Sequence, residues 1–132
     1  MQMPDTPLFI THVGVHICEQ IDGGCNCSLK VEPHHFNTGG IVHGGVAYTL
    51  ADTAMGAALI SCLPEGERCV TIDVSISYFK PVLAGILECS ARVVNRGSSI
   101  ANAEASIYAA GVLVAKAGGN YAIVRSRNQN AT

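Results

Sequence analysis

The chain has 132 residues, 48% of them hydrophobic and only 14% charged, with a formal net charge of -2. That length holds one domain with a real core, read here as residues 1–132. Eight scattered Lys and Arg make no nucleic-acid footprint, and no stretch is long and apolar enough for a membrane span, so neither a nucleic acid nor a membrane is expected as a partner. So low a charge content leaves much of the surface to be covered by other copies, and a homo-oligomer is expected.

Residues 1–10, with Pro4 and Pro7, read as an N-terminal arm. The opening MQMPDTPLF lacks the basic start and apolar run of an export signal, so a cytoplasmic location with reduced thiols is expected for the six cysteines. From Thr11 to Gln20, Val13, Val15 and Ile17 alternate with His12, Gly14, His16 and Cys18, a strand of period two. Asp22-Gly23-Gly24 turns, and residues 25–32 return as the second strand of a hairpin, ended by Pro33. Cys25-Asn26-Cys27 lacks the spacing of a zinc knuckle. His34-His35 is a weak ligand pair, because neighbours on an extended segment point to opposite faces. No metal is expected.

A glycine-rich loop, Asn37-Thr38-Gly39-Gly40, leads through His43-Gly44-Gly45 into a segment, running to Ile60, whose only ionisable acid is Asp52. Small and apolar residues all round predict a helix enclosed on most sides. A carboxylate there is costly unless hydrogen bonds or a task justify it, which makes Asp52 the first functional candidate; it also shares a side with Thr49, Thr53 and Gly56, which reads equally as a narrow wet stripe. Gly44 and Gly45 allow close approach to the backbone at a helix N-terminus, where unpaired N–H groups and the positive dipole end can form an oxyanion hole.

Leu63-Pro64-Glu65-Gly66 reverses the chain. From Arg68 to Phe79, Val70, Ile72, Val74, Ile76 and Tyr78 alternate with Thr71, Asp73, Ser75 and Ser77, the clearest strand pattern, closed by Lys80-Pro81. Further strands are expected over 85–94, 99–109 and 112–125, turning at Asn95-Arg96-Gly97-Ser98 and Gly111, before a polar tail at 126–132. Hairpin-linked strands around one apolar helix give an α+β class: a curved antiparallel sheet of about six strands wrapped around one long central helix.

Asn37, His43-Gly44-Gly45, the helical Leu50-Ala51-Asp52, and Tyr78-Phe79-Lys80-Pro81 followed by Gly85 together resemble the hot-dog-fold acyl-CoA thioesterases of the phenylacetate-degradation type, which are similar to the hydroxybenzoyl-CoA thioesterases. The likeness covers most of the chain, from Thr11 to Val124. It implies that Asp52 is the catalytic carboxylate, that the Gly44 N–H meets the thioester oxygen, that Asn37 positions thioester or water, and that Thr71 holds the attacking water. His43 belongs to the signature and shapes the turn. The resemblance further implies an acyl-CoA substrate, no cofactor, and dimers of hot dogs assembled into tetramers.

Gly44 and Asp52 are eight residues apart, about 12 Å along one helix, too far for both to reach one reacting carbon. A site pairing the Gly44 end of one subunit with Asp52 of another across a two-fold axis is expected. With the acyl-CoA substrate that the resemblance implies, hydrolysis of a small or medium acyl-CoA, aromatic ones included, is expected, with Asp52 as general base or as nucleophile. Lys80, Arg96, Ser98 and Ser99, at strand ends and turns, are candidates for the coenzyme A phosphates, and Gly45, Tyr48 and Met55 for the substrate. A non-catalytic acyl-CoA sensor is the alternative; a dehydratase of the same fold relies on a catalytic His, which the helix lacks.

Overall fold

The computed structural model describes residues 8–125, so most of the expected arm and all of the expected tail lie outside the described residues. Strands β1 (Val15–Ile21), β2 (Gly24–Lys30), β3 (Glu67–Tyr78), β4 (Ile86–Arg96), β5 (Ile100–Ala109) and β6 (Val112–Arg125) form one antiparallel sheet in the order β1-β2-β4-β5-β6-β3. The long helix α2 (Gly44–Ile60) packs against all six strands, giving the curved sheet around one helix that the residue pattern predicts.

Small side chains set the closeness of that packing. β5 turns Ala101, Ala103 and Ala105 inward and β6 turns Ala115 and Ala117 inward, against Ala51, Ala54 and Ala58 of α2, all buried. Leu29, Leu50, Met55, Leu59, Leu87 and Ile107 fill the remaining space, each at most 1% exposed. Burying an aliphatic side chain of this kind is worth roughly 1.5–3 kcal/mol, so these few residues carry much of the folded state.

Three features differ from the sequence reading. The strand expected from Thr11 begins at Val15, because Phe9–Val13 forms a short helix α1 that Gly14 ends in the left-handed region at φ 102°. Residues Pro33–His35 form a 3-10 turn and not an extended segment, so the His34 and His35 rings lie 4.2 Å apart instead of on opposite faces. The helix is also less enclosed than expected. The sheet covers one side only, leaving a stripe of Gly45, Tyr48, Thr49, Asp52, Thr53, Gly56 and Ile60 open or half-open in a single chain.

The most consequential difference lies in β3. Its pairing with β6 slips between Thr71 and Asp73, a β-bulge with Ile72 as the extra residue. One extra residue reverses side-chain parity. Val74 and Ile76 pack toward the core as expected, but before the bulge Cys69 takes the inner side while Val70 and Ile72 are over half exposed. Thr71 is thereby turned toward α2.

Candidate active site

The loop before α2 is built by its own polar groups. Asn37 Oδ1 accepts the N–H groups of Gly39 at 2.8 Å and Ile41 at 3.3 Å, folding the glycine-rich turn onto the asparagine. The His43 N–H donates to the His35 carbonyl at 2.8 Å and the Val42 N–H to the Val82 carbonyl at 2.9 Å, so both flanks of the loop are anchored. Buried His35 accepts the Glu32 N–H on Nδ1 at 2.9 Å, which leaves Nε2 to donate to the Val13 carbonyl at 2.6 Å. That tautomer ties α1 to the loop.

His43 is the N-cap of α2. Its Nδ1 accepts the Gly45 N–H at 2.8 Å, which places the ring proton on Nε2. The Val46 N–H donates to the His43 carbonyl. The Gly44 N–H, first of the helix, has no acceptor among the described residues, so the cap leaves one amide at the positive end of the dipole open to a ligand. Tyr78 covers the other side of this turn, donating its hydroxyl to the Gly44 carbonyl at 2.6 Å. A Cβ on Gly44 would meet the Tyr78 hydroxyl at 3.0 Å and Cζ at 3.1 Å, so a side chain there would press on the tyrosine that covers the turn. Burial, and secondarily Tyr48, raise the Tyr78 pKa and keep it a donor.

A cavity of about 330 Å³ opens beside this turn, lined among others by Asn37, Gly44, Ala47, Tyr78, Lys80 and Val114. Its walls are largely apolar, with Asn37, His43, Tyr78 and Lys80 as the polar side chains. A second cavity, on the far side of His43, is lined by His12, His34, His35, Gly45 and Thr49. Among the described residues no group of three His, Cys, Asp or Glu side chains is placed to hold a metal ion.

Two turns further along α2, half-buried Asp52 lies on the open stripe. Its Oδ1 accepts two hydroxyls: Thr71 at 2.9 Å and Tyr121 at 2.8 Å. Tyr121 also reaches the Asp52 carbonyl at 3.3 Å. Burial first, and then the Asp52 charge, push the Tyr121 pKa far up, so its hydroxyl is a permanent donor. Sequence reading missed Tyr121. Its partner in space is 69 residues away, and only its place in a run of Gly and Ala on β6 sets it apart.

The remaining candidates divide. Tyr48 is exposed on α2 midway between Gly44 and Asp52, one helical turn from each. Met55, expected at the substrate, is instead wholly buried with its Cε directed toward Gly119 of β6, because the sheet takes that face of the helix. Lys80 and Arg96 do not meet within one chain. Lys80 follows the end of β3, whereas Arg96 is held by Glu67 at the start of β3, at 2.7 Å, with Arg125 on the other carboxylate oxygen at 3.1 Å. Ser98 and Ser99 lie in the adjoining turn, and the Ser99 carbonyl accepts the Ile123 N–H.

Residues 39–116 match the model of the thioesterase superfamily. A candidate esterase of Halobacterium salinarum is 37% identical over 103 residues, covering 74% of this chain and 68% of that protein. Human acyl-coenzyme A thioesterase 13 is 36% identical over 76 residues, covering 57% of this chain and 54% of the human protein. The chain thus spans between about half and two thirds of the curated relatives it matches. Among solved structures, a point-mutant form of the phenylacetic acid degradation protein PaaI from Thermus thermophilus superposes with a TM-score of 0.80 at 28% identity, covering 86% of this chain and 96% of that one.

Proposed function

Because this chain belongs to the thioesterase superfamily, we propose that it hydrolyses acyl-CoA thioesters of small or medium acyl chain at a site shared between two copies of itself. The observation that carries this reading is the pairing, on one helix, of an amide with no acceptor among the described residues at Gly44 and a half-buried carboxylate at Asp52 held by two hydroxyls. The two are about 12 Å apart along the helix axis, so one chain does not bring both to one carbon. A second copy, placed antiparallel across a two-fold axis, sets its Gly44 turn against Asp52 and generates two equivalent sites.

Two features support the second copy. β3 is an edge strand of 12 residues whose backbone is unpaired on one side, with Val70 and Ile72 exposed on it. The open stripe of α2 is made of small residues that allow close approach. A dimer, and dimers associating into tetramers, would cover both.

In this reaction the thioester oxygen points at the Gly44 N–H, with the helix dipole behind it, and Asn37 Nδ2 orients the thioester from the loop. Water adds to the carbonyl carbon as Asp52 takes its proton. The tetrahedral intermediate then collapses, the carbon–sulfur bond breaks, and the proton passes from Asp52 to the departing sulfur, giving the free acid and coenzyme A. Attack by Asp52 itself, through an anhydride that water later opens, balances equally well. Thr71 donates to Asp52 and has lone pairs left to accept from the attacking water. Lys80 at the cavity rim is placed for a coenzyme A phosphate. The 330 Å³ cavity suits an aromatic or medium aliphatic acyl group. Unpaired cysteines buried in the core, such as Cys27 and Cys89, fit a reducing cytoplasm. Among the described residues no helix is long and apolar enough to cross a membrane.

The test is release of free thiol from phenylacetyl-, benzoyl- and straight-chain acyl-CoA esters. Turnover by the native chain that Asp52→Ala abolishes is the expected result. Tight binding of the esters without thiol release by either protein would replace hydrolysis with a sensing role.

A further inference from the structure

Tyr121 takes no step in the reaction drawn above, yet no other tyrosine is so thoroughly enclosed: it is 1% exposed and spends its hydroxyl on Asp52. The sheet makes room for it. A Cβ on Gly119, two residues earlier on the same face of β6, would lie 2.8 Å from Tyr121 Cε1, and 3.2 Å from both its hydroxyl and Met55 Cε. Glycine at 119 therefore lets the ring lie along the strand and reach the helix. The bulge at Ile72 supplies the second hydroxyl, from Thr71, which pairs directly with Tyr121 in the β3–β6 ladder.

Both donors end on Oδ1. Oδ2 has no hydrogen-bond partner among the described residues. Resting on the reading of Asp52 as the reactive carboxylate, we propose that Tyr121 is a positioning residue which, given room by Gly119 and acting with Thr71, fixes Oδ1 so that Oδ2 alone faces the reacting water or carbonyl carbon. A carboxylate free to rotate about its last torsion would present either oxygen in a broad range of angles. One clamped by two fixed donors is restricted to the productive one. Tyr121 stays protonated throughout the working range, because burial and the neighbouring carboxylate both oppose its ionisation. The titratable side chains that respond to the Asp52 charge are Tyr121 and Cys69, and no Lys, Arg or His lies within salt-bridge distance of Asp52 among the described residues.

The experiment is steady-state hydrolysis by Tyr121→Phe, with kcat and KM separated, beside Asp52→Asn. Loss of a hydrogen bond to a charged group predicts a kcat lower by on the order of ten- to a hundredfold, with KM within about twofold. Gly119→Ala, which displaces the ring but keeps the hydroxyl, should lower kcat in the same way, and it carries the test if Tyr121→Phe does not fold. Unchanged kcat in a folded Tyr121→Phe, with Asp52→Asn inactive, would overturn the clamp and leave the Asp52 reading standing. A fall in kcat matched by a comparable rise in KM would reduce Tyr121 to a packing residue and overturn it too. Full activity in Asp52→Asn would remove the reading beneath it, and the clamp with it.

Discussion

Thr71 and Tyr121 stand directly opposite each other in the β3–β6 ladder, and their hydroxyls converge on one oxygen of Asp52, at 2.9 and 2.8 Å. The convergence depends on backbone geometry as much as on residue identity. In an unbroken strand with Val74 and Ile76 on the core side, Thr71 would face away from the helix. The extra residue at Ile72 reverses the parity at the point where α2 carries its carboxylate.

The bulge makes a deletion prediction. Removing Ile72 joins Thr71 to Asp73 and leaves each half of β3 on its present face, so the variant should fold and keep a cooperative melt. Removing Ser75 from the regular ladder turns one half of the strand over and should abolish the folded state. Circular-dichroism melts of the two deletions decide it. Equal damage from both would mean that the slip at Ile72 is not what sets the faces of the strand.

Gly44→Ala should separate binding from turnover. The new methyl meets the Tyr78 hydroxyl at 3.0 Å, so the ring or the first turn of α2 gives by a few tenths of an ångström, and the bond from that hydroxyl to the Gly44 carbonyl carries the shift to the free amide. Misplacing one oxyanion donor costs on the order of a hundredfold in kcat. The turn is at the surface, so the melting temperature should fall by only a few degrees, about what a loss near 1 kcal/mol gives in a domain this size. Retention of native kcat would remove Gly44 from the chemistry.

Alkaline conditions should destabilise the fold from about pH 9. Burial raises the Cys89 thiol from its ordinary 9.0 to about 12, and raises Cys25 and Cys27 as well. Between those values the unfolded chain has released the Cys89 proton while the folded chain retains it. The unfolded state thus binds fewer protons and stability falls as pH rises, whereas below pH 9 the thiols contribute no slope. Melting temperatures should be level with respect to these groups up to about pH 9 and then decline, less steeply in Cys89→Ala. An identical decline in Cys89→Ala would assign the effect to other groups.

The helix, the hairpins and the acid were legible from residue order because each has a local signal. Alternation marks a strand, a lone carboxylate among alanines marks a functional candidate, and His-Gly-Gly before an apolar run marks a helix start. The inner face of β3 was not legible, since Val70 and Ile72 suit a core as well as Val74 and Ile76 do, and only pairing with β6 reveals the slip. Tyr121 was hidden for the same reason: its meaning comes from a strand that returns to the helix 69 residues later. Met55 was misplaced because a helix with apolar residues on every side gives no orientation until the sheet chooses a face.

Mixing two inactive variants, Asp52→Asn and Gly44→Ala, after subunit exchange verified by mass spectrometry, is the most direct test of a site shared between chains. In an equal mixture half the dimers are mixed, and each mixed dimer carries one site with both groups intact, so thiol release should recover to about a quarter of the native rate. No recovery above the separate variants, despite complete exchange, would contradict the shared site.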